Sequence, residues 1–97
     1  MLFRSFVALD FSGRSYLAYD LGIPTEKIGE LDSELIEEFF AALSRSAGLT
    51  LHITKIAGKN SHHIAEAAFK GFGRAVRMAI FEDSRLNGTI PSTKGVL

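Results

Sequence analysis

The sequence predicts an α+β fold in the order β-β-α-β-α, with one sheet and both helices packed on one of its faces. Three observations predict it. Leu49, Leu51 and Ile53 alternate with Thr50, His52 and Thr54, the period of a strand with one buried face. Leu35, Ile36, Phe39, Phe40, Ala42, Leu43 and Ala47 recur at helical spacing. So do Ile64, Ala65, Ala68, Phe69, Phe72, Ala75, Val76 and Ala79, in a wide stripe.

Taken in order, residues 3–11 are apolar with β-branched and aromatic members, Ser12-Gly13-Arg14 offers turn chemistry, and residues 15–21 resume an extended pattern. This reads as a β-hairpin. Gly22-Ile23-Pro24 ends the second strand, because Pro lacks the amide donor of a ladder and restrains its predecessor. Asp32 or Ser33 can cap the first helix and Gly48 is placed to close it. Gly58 breaks the third strand, Asn60 and Ser61 can cap a second helix running to about residue 81, and residues 87–97 read as a Gly- and Pro-punctuated loop. Phe39, Phe40, Phe69 and Phe72 are expected in the core.

A chain of 97 residues is one domain, near the small end of what buries a self-sufficient core, and its 46% apolar content argues for a packed protein. Lys plus Arg number 11 and Asp plus Glu 11, so no bulk field argues for nucleic acid or an anionic membrane. Any anion site is local. With no Cys there are no disulfides, zinc-thiolate sites or thiol catalysis. No apolar run approaches the ~18 residues of a membrane span, and Met1-Leu2-Phe3-Arg4 does not resemble a signal peptide, so a cytoplasmic location is expected.

Chemistry concentrates on the second helix. At about 100° per residue, His63, Glu66, Lys70, Arg74 and Arg77 share one sector opposite the apolar stripe. His63 and Glu66, three apart, can bind one metal together, whereas His62 points about a quarter-turn away and would serve a different ion. Neither set fills a six-coordinate shell, so another copy must complete each site. The alternative is an ordinary exposed first turn, with Glu66 favoured by the helix dipole and paired with Lys70 at i+4. Pro91-Ser92-Thr93-Lys94-Gly95 suits phosphate through short donors and a point charge, or is a solvated chain end. Arg14 is a turn residue by composition alone, and His52 a structural histidine.

Gly58-Lys59-Asn60-Ser61-His62-His63-Ile64-Ala65-Glu66-Ala67-Ala68-Phe69-Lys70-Gly71-Phe72 resembles the second signature of imidazoleglycerol-phosphate dehydratases. The resemblance extends through Asp10-Phe11-Ser12-Gly13-Arg14, Glu34-Leu35-Ile36-Glu37-Glu38-Phe39-Phe40, Thr50-Leu51-His52-Ile53 and Pro91-Ser92-Thr93-Lys94-Gly95-Val96-Leu97, almost the whole chain. It implies a half-domain over residues 1–97 of the ribosomal protein S5 second-domain type, the carboxyl-terminal one of two similar halves, with residues 86–97 as a phosphate-binding tail. The implied reaction, a step of histidine biosynthesis, is dehydration of imidazole glycerol phosphate to imidazole acetol phosphate.

The resemblance further implies two manganese ions that hold and polarise the imidazole ring, shared between halves: His62 on one, His63 and Glu66 on the other. Arg14, Lys70, Ser92 and Lys94 match positions that hold the substrate phosphate. Glu38 stands where some relatives place a metal-ligating His, and a carboxylate is a competent manganese ligand. No general acid or base is assigned. Two function classes are expected to compete: a metal lyase, assembled as a homo-oligomer or by pairing with an amino-terminal half, and an incomplete half-domain that binds metal and phosphate without turnover. An RNA-binding role is disfavoured by the neutral charge and the lack of exposed stacking aromatics.

Overall fold

The structure, a computed structural model, describes the backbone over residues 4–89 and side chains over residues 4–82. Its elements are β1 (Arg4–Asp10), β2 (Tyr16–Asp20), β3 (Lys27–Ile28), β4 (Leu31–Asp32), α1 (Glu34–Ala47), β5 (Thr50–Ala57) and α2 (Ser61–Thr89). The main sheet has the order β1-β5-β2, with β5 antiparallel to β1 and parallel to β2. This corrects the expected hairpin. The first two strands run in opposite directions but are separated by β5, which pairs with both.

The reason lies in burial. The strand with the most regular apolar alternation takes the centre, where Leu51 and Ile53 are fully buried, and β1 and β2 supply half-buried flanks. Val7 and Leu9 pair with Ile53 and Leu51 on one side, Tyr19 and Leu17 on the other, so these six side chains share the core face. The β1–β2 connection is tied to the start of β5 instead of closing a tight turn: Gly13 N–H donates to Gly48 O at 2.9 Å and Thr50 Oγ1 donates to Arg14 O at 3.0 Å.

Ile36 and Phe40 of α1 and Ile64, Ala65 and Ala68 of α2 bury onto that face. The Phe40 ring meets Phe69 at 5.0 Å and Phe72 at 5.3 Å, which joins the two helices above the sheet as expected. Phe39 and Phe69, however, are 49% and 40% exposed, a correction to their core assignment. They lie on the outer side of the helix seam, where no described element covers them.

Gly48 closes α1 in the left-handed region at φ 61°, and its N–H and that of Leu49 both donate to Ser44 O. A Cβ there would meet Gly13 Cα at 3.1 Å, so backbone conformation and close approach both require glycine. At the other end Ser33 occupies the N-cap position, but its hydroxyl donates to Thr25 O at 2.8 Å and leaves α1 without a side-chain cap. Sequence reading missed the β3–β4 ribbon, whose turn is Gly29-Glu30 with φ 64° at Gly29. It also ended α2 too early: the helix continues through Asn87 and Gly88 to Thr89. Once formed, a helix propagates cheaply, and the first strong breaker is Pro91.

Candidate metal and phosphate site

The first turn of α2 is built by its cap. Asn60 Oδ1 accepts the His63 backbone N–H at 3.0 Å and Asn60 O accepts that of Ile64 at 2.9 Å, as the sequence predicts. Thr25 Oγ1 lies 2.8 Å from Ser61 Oγ and ties this turn to the loop ahead of β3. The two histidines therefore start on a fixed backbone. Their rings are 5.6 Å apart and nearly perpendicular at 72°, the divergence expected for adjacent helical positions. His62 is exposed and His63 half-buried.

Glu66 follows His63 by three residues and is exposed, with Lys70 Nζ 3.6 Å from Glu66 Oε2. Glu66, Lys70, Arg74 and Arg77 are all exposed and Ile64, Ala65 and Ala68 are buried, as read from the spacing, but His63 of the polar sector is half-buried and Phe69 of the apolar stripe is exposed. The His63–Glu66 side can offer one imidazole nitrogen and one carboxylate to a borderline divalent cation. Lys70 would move its ammonium away from Glu66 or be displaced when a cation binds there.

The chain does not bring the remaining candidates to this turn. Glu38 is an exposed residue of the second turn of α1, and among the described residues no group of three or more His, Asp or Glu converges as a metal cluster. Arg14 lies beside the Asp10/Thr50 end of the sheet, whereas Lys70 lines a cavity with Arg4, at the Arg4/Ala57 end. At ~3.3 Å per residue the length of β1 separates those ends by roughly 20 Å. One chain cannot close Arg14 and Lys70 on one phosphate. Ser92 and Lys94 lie outside the described residues, as does most of the 86–97 tail; residues 86–89 continue α2. His52 is exposed on the open face of the sheet, its ring 5.8 Å from that of Tyr16.

Residues 4–76 match the imidazoleglycerol-phosphate dehydratase family, a span that includes Arg14, Glu38, His62, His63, Glu66 and Lys70. The chain belongs to that family. It is 60% identical over 91 residues to imidazoleglycerol-phosphate dehydratase of Prochlorococcus marinus (strain MIT 9313), covering 94% of this chain and 44% of that protein. It is 57% identical to the chloroplastic imidazoleglycerol-phosphate dehydratase 1 of Arabidopsis thaliana over 94% of this chain and 34% of that protein. The crystal structure of the Staphylococcus aureus imidazoleglycerol-phosphate dehydratase superposes with a TM-score of 0.75 at 48% identity, covering 77% of this chain and 44% of that one. This chain thus spans less than half the length of these dehydratase relatives. No helix among the described residues is long and apolar enough to cross a membrane.

Proposed function

We infer that this chain is the carboxyl-terminal half of a manganese-dependent dehydratase that converts imidazole glycerol phosphate to imidazole acetol phosphate in the cytoplasm. One observation carries the reading: the family match contains His62-His63-Ile64-Ala65-Glu66, and on the capped first turns of α2 His62 and Glu66 are exposed and His63 is half-buried, while Ile64 and Ala65 anchor the helix to the core. The donor set, nitrogen and carboxylate without thiolate, suits manganese. His62 would hold one ion and His63 with Glu66 another, with Glu38 a further carboxylate ligand supplied by α1. When bound, the metal supplies Lewis-acid polarisation of the substrate ring.

This chain's own part is binding and orientation. Lys70, one turn beyond Glu66, would meet the anionic end of a substrate whose ring lies near His63. Arg14, with Ser92 and Lys94 of the tail, would complete the phosphate site. Because Arg14 and Lys70 sit at opposite ends of one sheet, a complete site draws on a second copy or on an amino-terminal half.

The test is metal content and native mass measured together on chelator-free protein, followed by a turnover assay. About one manganese per chain in an oligomer that dissociates with EDTA, and that dehydrates the substrate, is the expected outcome. Metal-bound oligomers without turnover would favour the incomplete half-domain. His63→Ala is expected to lower manganese content at least tenfold with unchanged helical circular dichroism, and an unchanged metal content would remove the assignment.

A further inference from the structure

The loop between β2 and α1 ties the starts of both helices to one residue. Thr25 O accepts the Ser33 hydroxyl at 2.8 Å, and Ser33 is the N-cap residue of α1. The Thr25 hydroxyl donates to Lys27 O at 2.7 Å and shares a hydrogen bond of 2.8 Å with Ser61 Oγ, on the first residue of α2. The segment after Thr25 is fixed as well: Ser33 N–H donates to Glu26 O at 2.8 Å and Lys27 pairs with Asp32 at 3.1 Å.

A second observation is the cap that α1 gives up. Ser33 stands where its hydroxyl would cap that helix, yet it bonds Thr25 O and α1 has no side-chain cap. An unfilled N-cap costs stability, and local rules broken at such a cost gather at functional sites. The first turn of α2, by contrast, is capped by Asn60. It needs no help from Thr25 to be helical, so the Thr25–Ser61 bond bears on where the turn sits. Ser61 immediately precedes His62 and His63.

We propose that Thr25 is a positioning residue for the histidine turn: its hydroxyl, through Ser61, holds the backbone that presents His62 and His63 to a divalent cation. The inference rests on the manganese reading and deepens it. Metal affinity depends on groups that orient the ligands without touching the ion, and losing one weakens binding by about tenfold or more. Thr25 acts on the ligands' backbone and not on a ligand atom, so its loss belongs at the lower end of that range.

The test is the manganese affinity of the full chain, read from the paramagnetic resonance of the free ion, beside melts of the metal-free proteins. Thr25→Val, which keeps the side-chain shape and removes the hydroxyl, is expected to bind manganese about tenfold more weakly, and Ser61→Ala likewise. Together they should lose no more than either alone, since both break one bond. Thr25→Ser restores the hydroxyl and should return to within about twofold of the parent. Gly48→Ala controls for stability alone. Gly48 precedes β5 and α2 follows it, so this variant should melt earlier with its manganese affinity unchanged, as a merely structural Thr25 would. Parent-like affinity in Thr25→Val, additive losses in the double variant, or no rescue by Thr25→Ser would overturn the proposal. A parent that binds no manganese would overturn the metal reading and this proposal with it, so the parent's own titration tells the two failures apart.

Discussion

Tyr19 shows how placement sets the chemistry of a single side chain. It lies on the core face of β2 in register with Ile53, and its pKa is raised from 10.0 to about 12, first by burial and then by the Glu37 carboxylate. Both effects favour the neutral phenol. The unfolded chain releases this proton near 10, the folded chain near 12, so the contribution is intact below pH 10 and is lost as pH rises from 10 towards 12. Tyr19→Phe has no proton to release. In denaturant melts from pH 8 to 12, the parent is expected to lose stability more steeply above pH 10 than this variant. Parallel profiles would show that Tyr19 is not held neutral by the fold.

At the scale of elements, α1 depends on how it ends. Gly48 holds φ 61° and its would-be Cβ touches Gly13 Cα at 3.1 Å, so Gly48→Ala both strains the cap and pushes on the β1–β2 connection. A loss of about 1–3 kcal/mol is expected in chemical denaturation, since the left-handed conformation alone costs an L-residue roughly 1–2 kcal/mol. A variant as stable as the parent would mean that this cap does not bear on the fold. Such ends were legible in the sequence because they are local: Gly48 and Asn60 act on backbone groups a few residues away. The histidine turn was legible for the same reason, since helical spacing alone separates His62 from His63 and groups His63 with Glu66. Strand pairing was not. Whether β1 pairs with β2 or admits β5 between them is decided by which strand buries most, a property of the whole sheet. Ser33 shows a nearer failure: of the two cap candidates, Asp32 and Ser33, it takes the N-cap position, but Thr25 O accepts its hydroxyl.

At the scale of the whole molecule, the apolar stripes are wider than the sheet can cover. On α1, Ile36 and Phe40 are buried, while their neighbours Leu35 and Phe39 remain 48% and 49% exposed. On α2, Phe69 is 40% exposed and Met78, Ile80 and Phe81 are exposed further along. The Phe39 and Phe69 rings, 5.7 Å apart, join the α1 and α2 parts of this exposed apolar surface, which marks an interaction surface, and the dehydratase relatives contain more than as much chain again. Under the pairing proposed above, a second copy of this chain is expected to cover it. Burying a Leu or Phe side chain contributes roughly 1.5–3 kcal/mol. Loss of one such contribution already weakens association about tenfold, and loss of two about a hundredfold or more. Leu35→Ser/Phe39→Ser should therefore shift the association midpoint in sedimentation by that much, with helical circular dichroism retained because the buried stripe of α1 is untouched. The parent's melting temperature should rise with protein concentration, as it does when assembly stabilises the fold, and that dependence should vanish in the double variant. A parent that sediments as a monomer at every concentration, with a constant melting temperature, would show that identical halves do not pair through this face.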